Sequence, residues 1–290
     1  MQNIILDLAL AREIELAEAE AAVGCAEMMK TLQPNTVGAV EAIAGGYAVY
    51  CGAGNPVTQA VGLGLNGAVS IEEFDQLEAF YFGRNEPVRV ETCPLVDGSL
   101  LEHYRNRGYQ VSEFSNVMAR LVANDAFPPT PPGMEIRHVG REQIDLWVLT
   151  VAQGFAENYP VTQELLSVMK MFALGKNTEC YVASMEGKIA GGATLAIRGR
   201  IAGLFGASTL PEFRKRGVQT ALLHARLRRA AEEGCELAMS IAQPGSISQR
   251  NITRLGFQTL YTRVKFERGA KREDATERAE MLTRRDATSC

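Results

Sequence analysis

Histidine is scarce in this chain, three residues in 290. The six cysteines, at 25, 51, 93, 180, 235 and 290, stand far apart with no CxxC pair among them. No metal site and no disulfide framework are therefore expected, and reduced thiols in a cytoplasmic protein fit the pattern better. Long hydrophobic runs are missing too. None reaches the ~18 residues of a membrane span, and Met1 to Leu10 has neither the basic start nor the small-residue cleavage site of a secretory signal. No membrane partner is expected. Nor is one sign of charge in surplus: 30 Lys and Arg against 34 Asp and Glu leave a net charge of −4, which implies no general nucleic-acid surface. What is present is 46% hydrophobic and 22% charged residues, a globular balance in a length that accommodates two domains.

The first half reads as helix, strands, helix, strand, helix, strand. Ile4 to Leu32 is Ala-, Glu- and Leu-rich and free of proline, so it predicts helix. Val40 to Cys51 is strand-like with a glycine pair in its middle, a bulge or hairpin bend. Val57 to Leu65 predicts a second strand. Ser70 with Glu73 forms a capping box, and a helix runs from there to about Phe82. Pro87 to Cys93 is a strand, Ser99 to Arg107 a helix ended by Gly108, and Tyr109 to Val122 a strand. Gly62 to Gly67 spells G-x-G-x-x-G, the dinucleotide fingerprint. In that fingerprint the helix starts inside the glycine loop. Here the capping box starts it at Ser70, which argues against the reading.

Residues 126 to 133, AFPPTPPG, hold four prolines in eight positions and predict a semi-rigid linker. The expected division is a first domain over 1–125, the linker at 126–133, a second domain over 134–268 and a charged tail over 269–290. In the second domain come a strand at Glu135 to Val139, helices at Arg141 to Phe155 and Gln163 to Leu174, and a hairpin of Glu179 to Met185 with Ile189 to Ile197. A strand at Ile201 to Leu210, a helix to Glu233, a strand at Cys235 to Ala242, a helix at Ser246 to Leu255 and a last strand at Phe257 to Phe266 follow.

Pro211 stops the strand at Leu210. The loop Arg214-Lys215-Arg216-Gly217 follows, and Val218, Ala221, Leu222 and Ala225 fall at helical spacing after it. Strand, basic glycine turn and helix start make a phosphate site, because the first N–H groups of a helix are unpaired and the dipole is positive there. The nucleotide P-loop needs Lys-Ser/Thr after its last glycine; Val218-Gln219 stands there instead. Arg214 to Gln219 instead fits Gln/Arg-x-x-Gly-x-Gly/Ala, with Gln219 in the last small position.

That hexapeptide is similar to the cofactor loop of GNAT acetyltransferases. Two further stretches resemble the same family. The strand before the loop carries Gly203 and Gly206, which permit the bulge such proteins use to splay two strands. Ser248-Gln249-Arg250-Asn251-Ile252-Thr253-Arg254-Leu255-Gly256-Phe257 resembles the family's asparagine-bearing helix ending in Leu-Gly-Phe. The resemblance covers about Met134 to Arg268. The first half repeats the element order, and Arg107-Gly108-Tyr109-Gln110 resembles Leu255-Gly256-Phe257-Gln258. Asn66-Gly67-Ala68-Val69 replaces its basic loop, so it reads as a degenerate GNAT-like domain, with an unrelated α/β domain as the alternative. The fold class expected is α/β (α+β): two GNAT-like domains, each a mixed, mostly antiparallel sheet flanked by helices.

The resemblance implies an acetyl-CoA-dependent N-acetyltransferase acting on a small-molecule amine, with a homodimer left open. The alternative is a CoA-binding sensor without catalysis. Carried over by position, the backbone of Ala207, Ser208 and Thr209 pairs with pantetheine. Arg214, Lys215, Arg216, Gly217, Val218, Gln219 and Thr220 hold the pyrophosphate, and Asn251 touches the pantetheine end or the thiol. The chain departs from the family at Ile252, where many members place a tyrosine that protonates the leaving thiolate. Tyr261 and Ser248 are the hydroxyls proposed instead, Tyr261 ahead. Glu157, in the loop after the first helix of this half, is the carboxylate expected to attract the amine and take its proton. Arg226, Arg228 and Arg229 read mostly as a solvated helix face.

Overall fold

The computed structural model describes residues 3–32, 38–122, 128–156 and 159–269. The expected tail lies almost wholly outside them, as do Glu157 and Asn158. The first half runs α1 (Leu8–Leu32), β1 (Ala39–Ile43), β2 (Gly46–Tyr50), β3 (Gln59–Val61), α2 (Ile71–Phe82), β4 (Val88–Thr92), α3 (Gly98–Arg107) and β5 (Gln110–Leu121). The second runs β6 (Met134–Val139), α4 (Ile144–Ala156), α5 (Gln163–Ala173), β7 (Thr178–Met185), β8 (Lys188–Arg198), β9 (Ile201–Thr209), α6 (Val218–Glu232), β10 (Leu237–Ala242), α7 (Ile247–Arg254) and β11 (Gln258–Arg268). No described helix is long and apolar enough to cross a membrane.

The local signals act as their chemistry requires. Ser70 Oγ accepts from the Glu73 N–H while Glu73 Oε2 accepts from the Ser70 N–H, so α2 starts beyond the glycine loop. The expected strand at Val57 to Leu65 is only Gln59–Val61, because Gly62 and Gly64 turn the chain at φ +80° and +72°. Leu63 and Leu65 are still buried. Gly108 ends α3 in the left-handed region at φ +74°, a conformation that a residue with a side chain adopts only with strain.

All eleven described strands join one mixed sheet, in the order β1-β2-β3-β4-β11-β5-β10-β9-β8-β7-β6. Pairing is antiparallel except for β3 with β4 and β9 with β10. The expected mixed, mostly antiparallel sheet flanked by helices is present, but the two halves share it. β11, the last strand of the second half, inserts between β4 and β5 of the first. β5, the last strand of the first half, in turn pairs with β10 of the second. Outward from the β11–β5 pair the first arm has four described strands and the second five, and in each arm the first and second strands out form its one parallel pair. Helices α6 and α7 pack on one face of the second arm. Helices α4 and α5 pack on the other, where α1 from the first half joins them through Ala22, Cys25, Ala26 and Met29.

Candidate active site

Parallel pairing between β9 and β10 lasts only from Ile201–Leu237 to Gly203–Met239. Beyond Gly203 the strands part. On its other edge β9 stays paired with β8, but the register slips between Gly192 and Thr194, where Gly206 and Ala207 form a bulge. Gly206 sits at φ +55°, and a Cβ there would press on Thr194 Oγ1 at 2.9 Å and touch the Trp147 ring. The bulge therefore needs glycine. The β10-facing edge of Leu204 to Thr209 is left without a neighbouring strand. Ser240 Oγ of β10 donates to the Leu204 carbonyl at 2.9 Å and Arg214 Nε to the Thr209 carbonyl at 3.3 Å.

The loop after β9 is anchored by buried Phe213. Lys215 at φ +62° and Gly217 at φ +85° are both left-handed. For lysine that conformation is strained by ~1 kcal/mol, and it aims successive N–H groups outward. Gly217 is the N-cap of α6 and supplies no side-chain hydrogen bond to it, so the first-turn N–H groups of Val218, Gln219 and Thr220 have no partner inside the helix. Lys215 and Arg216 are exposed. Arg216 pairs with Glu186 at 3.0 Å, while Arg214 bends back to the Thr209 and Gly154 carbonyls at 3.3 and 3.1 Å. Arg214 thus ties the loop to α4.

A cavity of about 670 Å³ passes through the parted strands. On the α6–α7 side Gln219, Leu223, Ser240, Ser248 and Ile252 line it. On the other side α5 contributes Val168, Met169 and Phe172, and α1 contributes Ala17, Glu18, Ala21 and Cys25. Ala207 lines it at the opening, with Gly203 to Gly206. Ser208 is placed beside it, but its hydroxyl is turned to the Val151 carbonyl of α4 at 3.0 Å. Asn251 donates to Gln219 Oε1 and so joins α7 to the basic loop's helix. Burial pushes the Cys25 thiol up to about 12, so at neutral pH it is an uncharged wall.

Two expectations are corrected here. Tyr261 is not among the cavity-lining residues. It is buried in β11 and its hydroxyl donates to Glu15 Oε1 of α1 at 2.6 Å. Burial, with the Glu15 charge beside it, pushes its pKa far above the usual phenol value, the wrong direction for a proton donor. Tyr261 belongs instead to a buried group in which Arg263 Nε bonds Glu15 at 2.7 Å and Arg263 Nη1 pairs with Glu18 at 2.9 Å. Arg226 is the second correction: it is 1% exposed, not a solvated side chain. Its guanidinium donates to the Leu222 carbonyl at 3.1 Å and to the Thr194 carbonyl, at the bulge, at 2.9 Å. Burial lowers its pKa to about 9. The signal was in the sequence, since Arg226 follows Leu222 by four positions on the apolar stripe of α6. Arg229 is an ion-pair residue, bonded to Glu179 and Glu233.

Of the remaining expected site residues, Ser248 lines the cavity, and Ile252 is buried against its wall. Glu157 lies outside the described residues. Its neighbour Phe155 lines the cavity, and Tyr159 is 81% exposed.

The model of the acetyltransferase (GNAT) family matches residues 147–257. A GCN5-related N-acetyltransferase from Kribbella flavida is similar in structure, with TM-score 0.61 and 14% identity over 88% of this chain and 98% of that one. A tandem GNAT protein from the clavulanic acid biosynthesis pathway is also similar, with TM-score 0.52 and 14% identity over 68% of this chain and 69% of that one. These likenesses are of fold. No curated protein matches the sequence.

Proposed function

We infer that this chain, whose residues 147–257 match the model of the acetyltransferase (GNAT) family, transfers an acetyl group from acetyl-CoA to a small-molecule amine by direct attack. One observation carries the reading. The edge of β9 beyond Gly203, unpaired with β10, runs between an uncapped helix start and a cavity lined by helices from both faces of the sheet. The N–H groups of Gly217 to Thr220 suit a pyrophosphate. The β10-facing peptide groups between the bonded Leu204 and Thr209 carbonyls suit the amides of a pantetheine arm. Acetyl-CoA supplies an activated thioester at the opening. The lobe under α1 and α5 receives the amine on the far side.

An alkyl ammonium has a pKa of ~10.4 and must lose a proton before it attacks. Glu157 is the proposed acceptor of that proton, and Glu18 is the carboxylate among the described lining residues. As the new C–N bond forms and the C–S bond breaks, the thiolate needs a proton. Ser248 is the proposed donor now that Tyr261 is committed to Glu15. A CoA-binding sensor remains the second reading, favoured by Ile252 in the family's tyrosine position.

Turnover with acetyl-CoA and an amine panel, read as thiol release, separates the two. The expected result is turnover with at least one amine, lowered in kcat by Ser248→Ala and little changed in kcat by Tyr261→Phe. CoA binding without turnover on any amine would favour the sensor.

A further inference from the structure

The amine lobe is mostly hydrocarbon, with two polar groups that have no described use. Arg198, the last residue of β8, lines it. It is half-buried and makes no described hydrogen bond or ion pair. Desolvation lowers its pKa, and the charge of the exposed Glu20 of α1 opposes that. Gln59 of β3, from the first half, also lines the lobe, and its Oε1 is buried without a hydrogen-bond partner. Glu18 is there as well, but Arg263 neutralises it at 2.9 Å. A desolvated guanidinium facing a cavity has its binding capacity unspent, because its five donors match a carboxylate.

Position adds a length. Arg198 pairs in register with Ile201, at the closed end of β9, whereas the thioester belongs at the bulge by Ala207. An extended strand rises ~3.3 Å per residue, which puts those backbone points on the order of 20 Å apart, a span that the arginine side chain and the ligand would share. Between them run the apolar walls of α1 and α5.

We propose that the acceptor is an elongated apolar amine whose far end carries a carboxylate, which Arg198 binds. This rests on the acetyl-transfer reading for the position of the amine, but not for the role of Arg198. An α-amino acid is too short to reach both points.

The full chain tests it with matched pairs. 8-Aminooctanoate and octylamine are compared as acceptors by thiol release. In parallel, calorimetry in the presence of CoA compares N-acetyl-8-aminooctanoate with N-octylacetamide, which need no turnover. A charge-assisted pair is expected to favour the carboxylate-bearing member about tenfold or more in kcat/KM and in Kd. Arg198→Gln is expected to remove that difference, mainly by raising KM for 8-aminooctanoate. If the variant does not fold, the wild-type comparison decides alone. Tighter binding of the carboxylate-bearing amide, lost in Arg198→Gln, without acetylation of either amine would overturn the acceptor assignment while leaving Arg198 as a carboxylate site, and turnover on the wider amine panel would then decide acetyl transfer separately. Equal or weaker affinity for the carboxylate-bearing member, or no binding of either amide, overturns the whole proposal, whatever the turnover.

Discussion

Single residues divide here into those that hold shape and those left with something to bind. Gly217 does both. Its left-handed φ of +85° opens α6 and brings N–H groups to the surface, and a Cβ at this position would meet nothing within 4 Å. Space is therefore not the constraint. Gly217→Ala should cost only the strain of that conformation, ~1 kcal/mol of stability. Gly217→Asp adds a carboxylate where a pyrophosphate would sit, and the like charges repel. CoA affinity measured by calorimetry should fall modestly in the alanine variant and disappear in the aspartate variant. Unchanged affinity in Gly217→Asp would remove the loop from cofactor binding. Arg226 is the contrasting case. Its charge is buried with no described ion pair, and it is spent on the Leu222 carbonyl and on the Thr194 carbonyl beside the bulge.

At the scale of elements, β9 decides the site, and its critical feature is the bulge. Gly206→Val would force a branched side chain into φ +55° and against Thr194 and Trp147. Straightening the strand would let β9 re-pair toward β10 and narrow the opening. Thermal unfolding should show a loss of about 1–3 kcal/mol, and acetyl transfer should fall further than the unfolded fraction explains. Activity falling only in step with stability would make the bulge structural alone. Most of this was legible in the sequence. Gly203, Gly206, Pro211, the basic loop and Gly217 each carry a local rule, as do the Ser70 capping box and Gly108. The cavity lobe under α1 and α5 was not legible, because it is built from α1, β3, α5 and β8, residues far apart in the chain that meet only through packing. Tyr261 was misread for a related reason. Its place on the last strand was correct, but that strand faces Glu15 of α1, and no local pattern announces a partner 246 residues away.

The whole molecule is two similar arms that have exchanged their last strands. β11 sits between β4 and β5, and its cations are matched by first-half carboxylates: Arg263 to Glu15, Lys265 to Glu91 and Glu113 at 3.1 and 2.8 Å, and Arg268 to Glu78. Buried charge left unpaired is costly, so removing β11 would strand these carboxylates as well as open two strand edges. The loop of the first arm equivalent to the basic one, at Asn66 to Val69, has no cations. The first arm is therefore proposed to contribute walls, not a second cofactor site. Separation of the halves should then cost more than either domain's independence would suggest. A protease site placed in the linker at 126–133 tests this in the assembled protein. After cleavage the two pieces should elute together on size exclusion, melt in one cooperative transition and keep CoA binding. Residues 1–125 expressed alone should neither bind CoA nor give a cooperative melt, because β4 and β5 would face each other across the gap that β11 fills. Pieces that separate on cleavage, or a first half that melts cooperatively by itself, would show that the exchanged strands add little to a pair of self-sufficient domains.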